Sequence, residues 1–170
     1  LHLNDRYDQI LRRDGAALRR VAGAYEREPG RREDLFQDIC LAVWQALPRF
    51  RGDSSERTFV FRIAHNRGLT HRSRRRPSDG TDLEVAAERL ADPHPDPEAA
   101  VREGQRRERL REAVLALPLE PRQILSLTLE GLSNLEIADV LGITENNVAV
   151  RLNRARKALR QILETAGGWP

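Results

Sequence analysis

The sequence contains no methionine and one cysteine, and only 5% of its 170 residues are aromatic. Each scarcity excludes something. Cys40 alone closes no intrachain disulfide and builds no multi-cysteine zinc site. No apolar run approaches the roughly 20 residues that span a bilayer, and no signal-peptide pattern opens the chain. A cytoplasmic protein without membrane insertion is therefore expected. With no methionine at position 1, the natural start is expected upstream of Leu1. Lysine is nearly absent as well: Lys157 is the only one, and arginine takes its place elsewhere. Arginine suits bidentate contacts to phosphates and bases, although a GC-rich genome produces the same bias.

What is present is charge and helical periodicity. Charged residues make up 32% of the chain and hydrophobic ones 39%, with a formal net charge of +3. That is a globular composition suited to an acidic partner. Residues 1–76 read as helices. Ile10, Ala17, Leu18, Val21 and Tyr25 recur at helical spacing, and Pro29-Gly30 is expected to break that helix. A second helix is expected from about Glu33 and Asp34, with Leu35, Phe36, Ile39, Cys40, Val43, Trp44 and Leu47 as its apolar face, until Pro48 stops it. A polar loop follows, and then a third helix with Phe59, Ile63 and Leu69 on one side. Residues 77–96, rich in proline and acids, cannot bury much apolar surface and read as an extended linker. Residues 97–166 are helical again. Asp96 is placed to cap and Pro97 to occupy the first position. Pro118 ends that helix, Pro121 opens the next, and Gly131 closes it. The short tail, 167–170, is expected to carry no further domain.

The clearest motif lies between Ser133 and Leu159. Ser133-Asn134-Leu135-Glu136 has the form of a capping box. A short helix carries Leu135, Ile137, Ala138 and Leu141. Gly142 then permits a tight turn, and Thr144 caps the next helix. That helix buries Val148, Leu152, Ala155 and Leu159. Ala138 keeps a steep helix crossing close. This is a helix-turn-helix pattern, whose second helix enters a major groove. Thr144, Asn146, Asn147, Arg151, Asn153, Arg154, Arg156 and Lys157 mark its outer side. Asparagine pairs bidentately with adenine and arginine with guanine. In the first zone, Arg62, His65, Arg67, His71, Arg72, Arg74, Arg75 and Arg76 form a basic helix with no acid among them. Phe59 and Phe61 open it, one of them expected in the core. Aromatics beside arginines suit unpaired bases.

Both halves resemble one family. Residues 32–38 (Arg-Glu-Asp-Leu-Phe-Gln-Asp), 43–52 (Val-Trp-Gln-Ala-Leu-Pro-Arg-Phe-Arg-Gly) and 59–66 resemble region 2 of extracytoplasmic-function sigma factors, of the sigma-70 family. Leu115–Pro118 through Arg122-Gln123, Leu129–Ser133, Glu136–Ala138, Leu141–Ile143 and Arg151–Arg156 resemble region 4. The resemblance implies an all-α fold of two small helical domains, region 2 over residues 1–76 and region 4 over residues 97–166. It implies a non-enzymatic protein without metal or cofactor, which binds core RNA polymerase and promoter DNA and is held in check by an anti-sigma factor. Glu33, Asp34, Gln37 and Asp38 would then dock on polymerase. Phe50, Arg51, Gly52, Asp53, Ser54, Ser55, Phe59, Arg62 and Asn66 would meet single-stranded −10 DNA. The helix-turn-helix would read the −35 duplex.

This chain departs from the family pattern at Phe59, His65 and Thr70, and also at Ala149 and Val150, where the −35 contacts are therefore expected to be fewer or more apolar. Gly68 inside a helix is expected to cost roughly 1 kcal/mol against alanine. A stand-alone helix-turn-helix regulator is the alternative reading, but it would have no use for the first zone. A nuclease built on His65 and His71 is disfavoured, because six residues do not place both on one helical face and no carboxylate cluster offers a metal site.

Overall fold

The computed structural model describes residues 3–74 and 97–165. Seven α-helices and one 3-10 turn follow in order: α1 (Leu3–Tyr25), α2 (Pro29–Ala46), the turn Leu47–Arg49, α3 (Glu56–Ser73), α4 (Pro97–Ala116), α5 (Leu119–Leu129), α6 (Asn134–Leu141) and α7 (Glu145–Thr165). No strand occurs among the described residues. The expected linker, and Arg75 and Arg76 of the basic run, lie outside them.

α2 begins earlier than its acids suggested. Pro29 occupies the first helical turn, and the carboxylate of Glu28 accepts from the backbone N–H of Gly30 and Arg31 at 2.9 and 2.7 Å. Those two bonds hold the Glu28 carboxyl below its usual pKa. Pro29-Gly30 is thus a helix start, since proline lacks only an N–H that the first turn leaves unpaired anyway. α3 is capped by Ser55, whose Oγ accepts from Thr58 N–H at 3.0 Å. α6 carries the reciprocal capping box of Ser133 and Glu136, and Gly142 ends it at a φ of 67°, where a side chain would be strained.

The core of the first half is Ile10, Leu18, Tyr25, Leu35, Ile39 and Phe61, all at most 2% exposed. Some apolar positions point elsewhere than periodicity suggested. Trp44 and Leu69 are 43% and 41% exposed, and Leu129 and Leu135 on the second half are 60% and 66% exposed. α3 instead buries Val60, Phe61, Ala64, His65 and Gly68. His65 is therefore a core residue, not a member of the outer basic face. Its Nδ1 lies 2.5 Å from the Tyr25 hydroxyl. Burial pushes the imidazole down and the phenol up, so both stay neutral. The phenol and Nδ1 share this bond, and the side chain of Gln123 on α5 approaches the phenol from the other half of the chain.

That last contact crosses between the halves, which pack together, α1 against α5 and α3 against α6. Two arginines are exchanged across this seam. Arg27, just past α1, donates to Leu115 O near the end of α4. Arg122 of α5 is 7% exposed; it donates to Ala24 O in the last turn of α1 at 3.3 Å, and to Leu117 O at 2.8 and 3.1 Å. Helix C-termini leave carbonyls unpaired and carry partial negative charge, so each guanidinium finds carbonyl acceptors there. Around this pair, Arg20 grips Glu130 through two bonds of 2.7 and 2.8 Å. Arg57 donates to Glu130 O at 2.6 Å while holding Asp14 at 3.1 Å.

Candidate nucleic-acid interface

The helix-turn-helix is set by α6 and α7. Ile143 N–H bonds back to Ala138 O at 3.1 Å, closing the turn. Thr144 Oγ1 accepts from Asn147 N–H at 3.2 Å, so its side chain is engaged in capping. Val148, Leu152 and Ala155 are at most 5% exposed and fix the rotation of α7. At about 100° per residue, Asn146, Val150, Asn153 and Lys157 then lie within roughly 60° of one another, opposite the buried stripe. Asn147 and Arg154 border this face and are exposed. Arg151 lies at its flank, half-buried, with Nη1 3.7 Å from Glu120 Oε1. Arg156 is exposed on the other flank. The expected readers thus share one helix, but not one central strip. Val150, absent from the expected set, is central and 42% exposed.

The loop between the 3-10 turn and α3 is anchored at both ends. The Phe50 ring packs against Phe59, tilted by 50° with centroids 4.9 Å apart, and the Arg6 guanidinium lies 5.0 Å over its face. At the other end Ser55 caps α3. Arg51, Gly52 and Asp53 between these anchors are exposed, with Gly52 turned through a φ of 84°. Phe61 is the core phenylalanine and Phe59 is partly buried. Asn66 is exposed on α3. Arg62, one turn earlier, forms an ion pair with Asp139 of α6. A side chain expected on unpaired DNA is therefore engaged by the helix-turn-helix of the same chain. Nearby, Thr58 Oγ1 lies 3.4 Å from Glu136 Oε1.

On α2, Asp34, Gln37 and Asp38 are exposed in one stripe that continues through Leu41 and Trp44. Glu33 is turned toward α1 and ion-paired with Arg19, whose guanidinium also covers the Phe36 ring at 4.0 Å. Among the described residues no group of His, Cys, Asp and Glu could hold a metal ion, and no helix is long and apolar enough to cross a membrane. The seam contacts of Arg27, Arg122, Glu130 and Asp139 carry no local sequence signal, since their partners lie far away in the chain.

A family model described as sigma-70 region 2 matches residues 10–77, and one described as sigma-70 region 4 matches residues 107–159. The ECF RNA polymerase sigma factor SigF of Caulobacter vibrioides is 33% identical over 152 residues, 89% of this chain and 79% of that protein. The RNA polymerase sigma factor CnrH of Cupriavidus metallidurans is 31% identical over 166 residues, 93% of this chain and 86% of that protein. The solved structure of CnrH in complex with the cytosolic domain of CnrY is similar with a TM-score of 0.66, covering 94% of this chain and 88% of that one at 28% identity. A protein of Xanthomonas campestris named probable RNA polymerase sigma factor RfaY is 32% identical over 161 residues, 92% of this chain. The chain spans 40% of its length.

Proposed function

The chain belongs to the extracytoplasmic-function RNA polymerase sigma factors of the sigma-70 family, and from that membership we propose how its surfaces divide the work of promoter recognition. It is an alternative sigma factor, a DNA-binding initiation factor, and not a stand-alone regulator. The observation that carries the division is the presence of two family regions, in order, with an asparagine- and arginine-bearing helix at the centre of the second.

In this reading residues 1–76 act as region 2, 77–96 as linker and 97–166 as region 4. The exposed stripe of α2, with Asp34, Gln37 and Asp38, docks on core polymerase. The loop from Phe50 to Ser55, with Phe59, Arg62 and Asn66, holds the single-stranded −10 element. The outer face of α7 reads the −35 duplex. The protein works in the cytoplasm, supplies no chemistry of its own, and is silenced by an anti-sigma partner. The complex of the relative CnrH with the cytosolic domain of CnrY supports such a partner. Run-off transcription with core polymerase on a genomic promoter library tests the whole. Transcripts from a defined promoter set support it, and polymerase-independent duplex binding with no transcripts overturns it.

Two substitutions test the parts. Asp34→Arg with Asp38→Arg should weaken core-polymerase capture at least tenfold in a pull-down while the helical circular dichroism stays unchanged. The side chains are exposed, so the fold does not depend on them. Arg154→Ala should relax one position of the selected −35 sequence, a loss of about 1–3 kcal/mol of discrimination at that base pair. A consensus that survives intact would remove Arg154 from the readers.

A further inference from the structure

The geometry points to Val150 as a base-reading residue, specific for the 5-methyl group of thymine. This rests on α7 being the duplex-reading helix and goes further by naming one base. Val150 is 42% exposed in the second turn of α7, opposite the stripe of Val148, Leu152 and Ala155. It takes no part in the core. Its neighbours on the outer face are Asn146, Asn153 and Lys157, all exposed. Ala149, beside it, has only a methyl group, and Val150 stays 42% exposed among these neighbours and Arg154.

A scattered exposed apolar side chain needs no explanation, but this one sits in the middle of the strip that meets the groove. It is also β-branched, which restricts χ1 in a helix, so helix stability does not account for it. Recognition helices contact base edges through their first turns. In the major groove the C5-methyl of thymine is the one methyl group that a base presents, set among hydrogen-bond donors and acceptors. Valine offers neither donor nor acceptor. Against guanine, adenine or cytosine it would leave a polar edge without a partner, at a cost. Against thymine it buries a methyl group on a methyl group. The stiff χ1 that costs the helix a little here holds the contact in place. Asn146 one turn before and Asn153 one turn after have the groups to bond adenine bidentately. The site read by α7 is therefore a thymine among adenines, on either strand.

The test uses the full chain with core polymerase. Selection from a randomised duplex library first yields the preferred −35 sequence. Each thymine in it is then replaced singly by deoxyuridine, which removes only the methyl group. At one thymine the parent protein should bind roughly three- to tenfold more weakly, the effect of losing one buried methyl contact. Val150→Ala should bind the two duplexes equally and lose preference at that position alone, keeping the other selected positions. Those retained positions also show that the variant is folded. A parent indifferent to deoxyuridine everywhere, a selected duplex without thymine, or a Val150→Ala protein with the parental sensitivity overturns the assignment and leaves α7 as the reading helix. A parent that selects no sequence overturns both together.

Discussion

Gly68→Ala should destabilise the protein by about 2–3 kcal/mol, against the usual direction of such a change. In an open helix position the same substitution stabilises by up to about 1 kcal/mol. Here a Cβ would stand 2.4 Å from Cγ of Tyr25, with both Cδ atoms within 2.6 Å. The contact is with the root of the ring, not with the tip of a flexible chain. Tyr25 is 2% exposed and tied by its hydroxyl to His65, so the ring cannot slide away cheaply. Gly15 in α1 is the control, because a Cβ there meets nothing within 4 Å. Urea unfolding should move to lower concentration for Gly68→Ala and to equal or higher concentration for Gly15→Ala. Equal stability of the Gly68→Ala protein and the parent would mean that α1 and α3 are not packed this closely in solution.

The second large effect is expected at the seam. Arg27→Ala with Arg122→Ala removes both exchanged guanidinium groups. The carbonyls of Ala24, Leu115 and Leu117 then lose charged donors, at a cost of about 1–3 kcal/mol for each carbonyl left buried and unpaired. The halves should separate, and the radius of gyration from small-angle scattering should rise. Part of the Arg122 effect falls inside the second half, through Leu117 O. Asp139→Arg supplies the complement: it sets like charges against Arg62 at a partly exposed pair and should favour separation with little loss of secondary structure. Scattering curves identical to the parent for both proteins would place the strength of the seam in its apolar packing instead.

What could be read from the sequence follows how far apart the causes lie. The capping box at Ser133 and Glu136, the turn at Gly142 and the cap at Thr144 span ten or so residues, and each was legible from residue type and spacing alone. The helical class and the order of two regions were equally plain. The rotation of each helix was harder. Periodicity marks an apolar stripe but not its partner, so Trp44, Leu69 and Leu135 read as core and stand exposed. Pro29 read as a break because its missing N–H harms a helix interior, whereas it sits where that N–H has no partner. Gly68 read as a local weakness because its reason is a ring forty-odd residues away in α1. His65, grouped with the arginines by charge, is held inside by the same ring. Of the expected reading set, Asn146, Asn153 and Lys157 share the outer strip of α7, whereas Arg151 and Arg156 lie on its flanks. Arg151 reaches toward Glu120 of α5, and Val150 takes the centre. The seam was invisible, because Arg122 and Ala24 O meet only after two separate helix ends have formed.

The exchanged arginines tie the two halves into a shared equilibrium. One guanidinium comes from each side, so separating the halves would break both contacts. Any ligand that needs the halves apart binds only the open fraction, and its apparent affinity is reduced in that proportion. The first such ligand to bind removes the penalty for the next. Two ligands that never touch each other, one on each half, would then strengthen each other's binding by the same factor in either order.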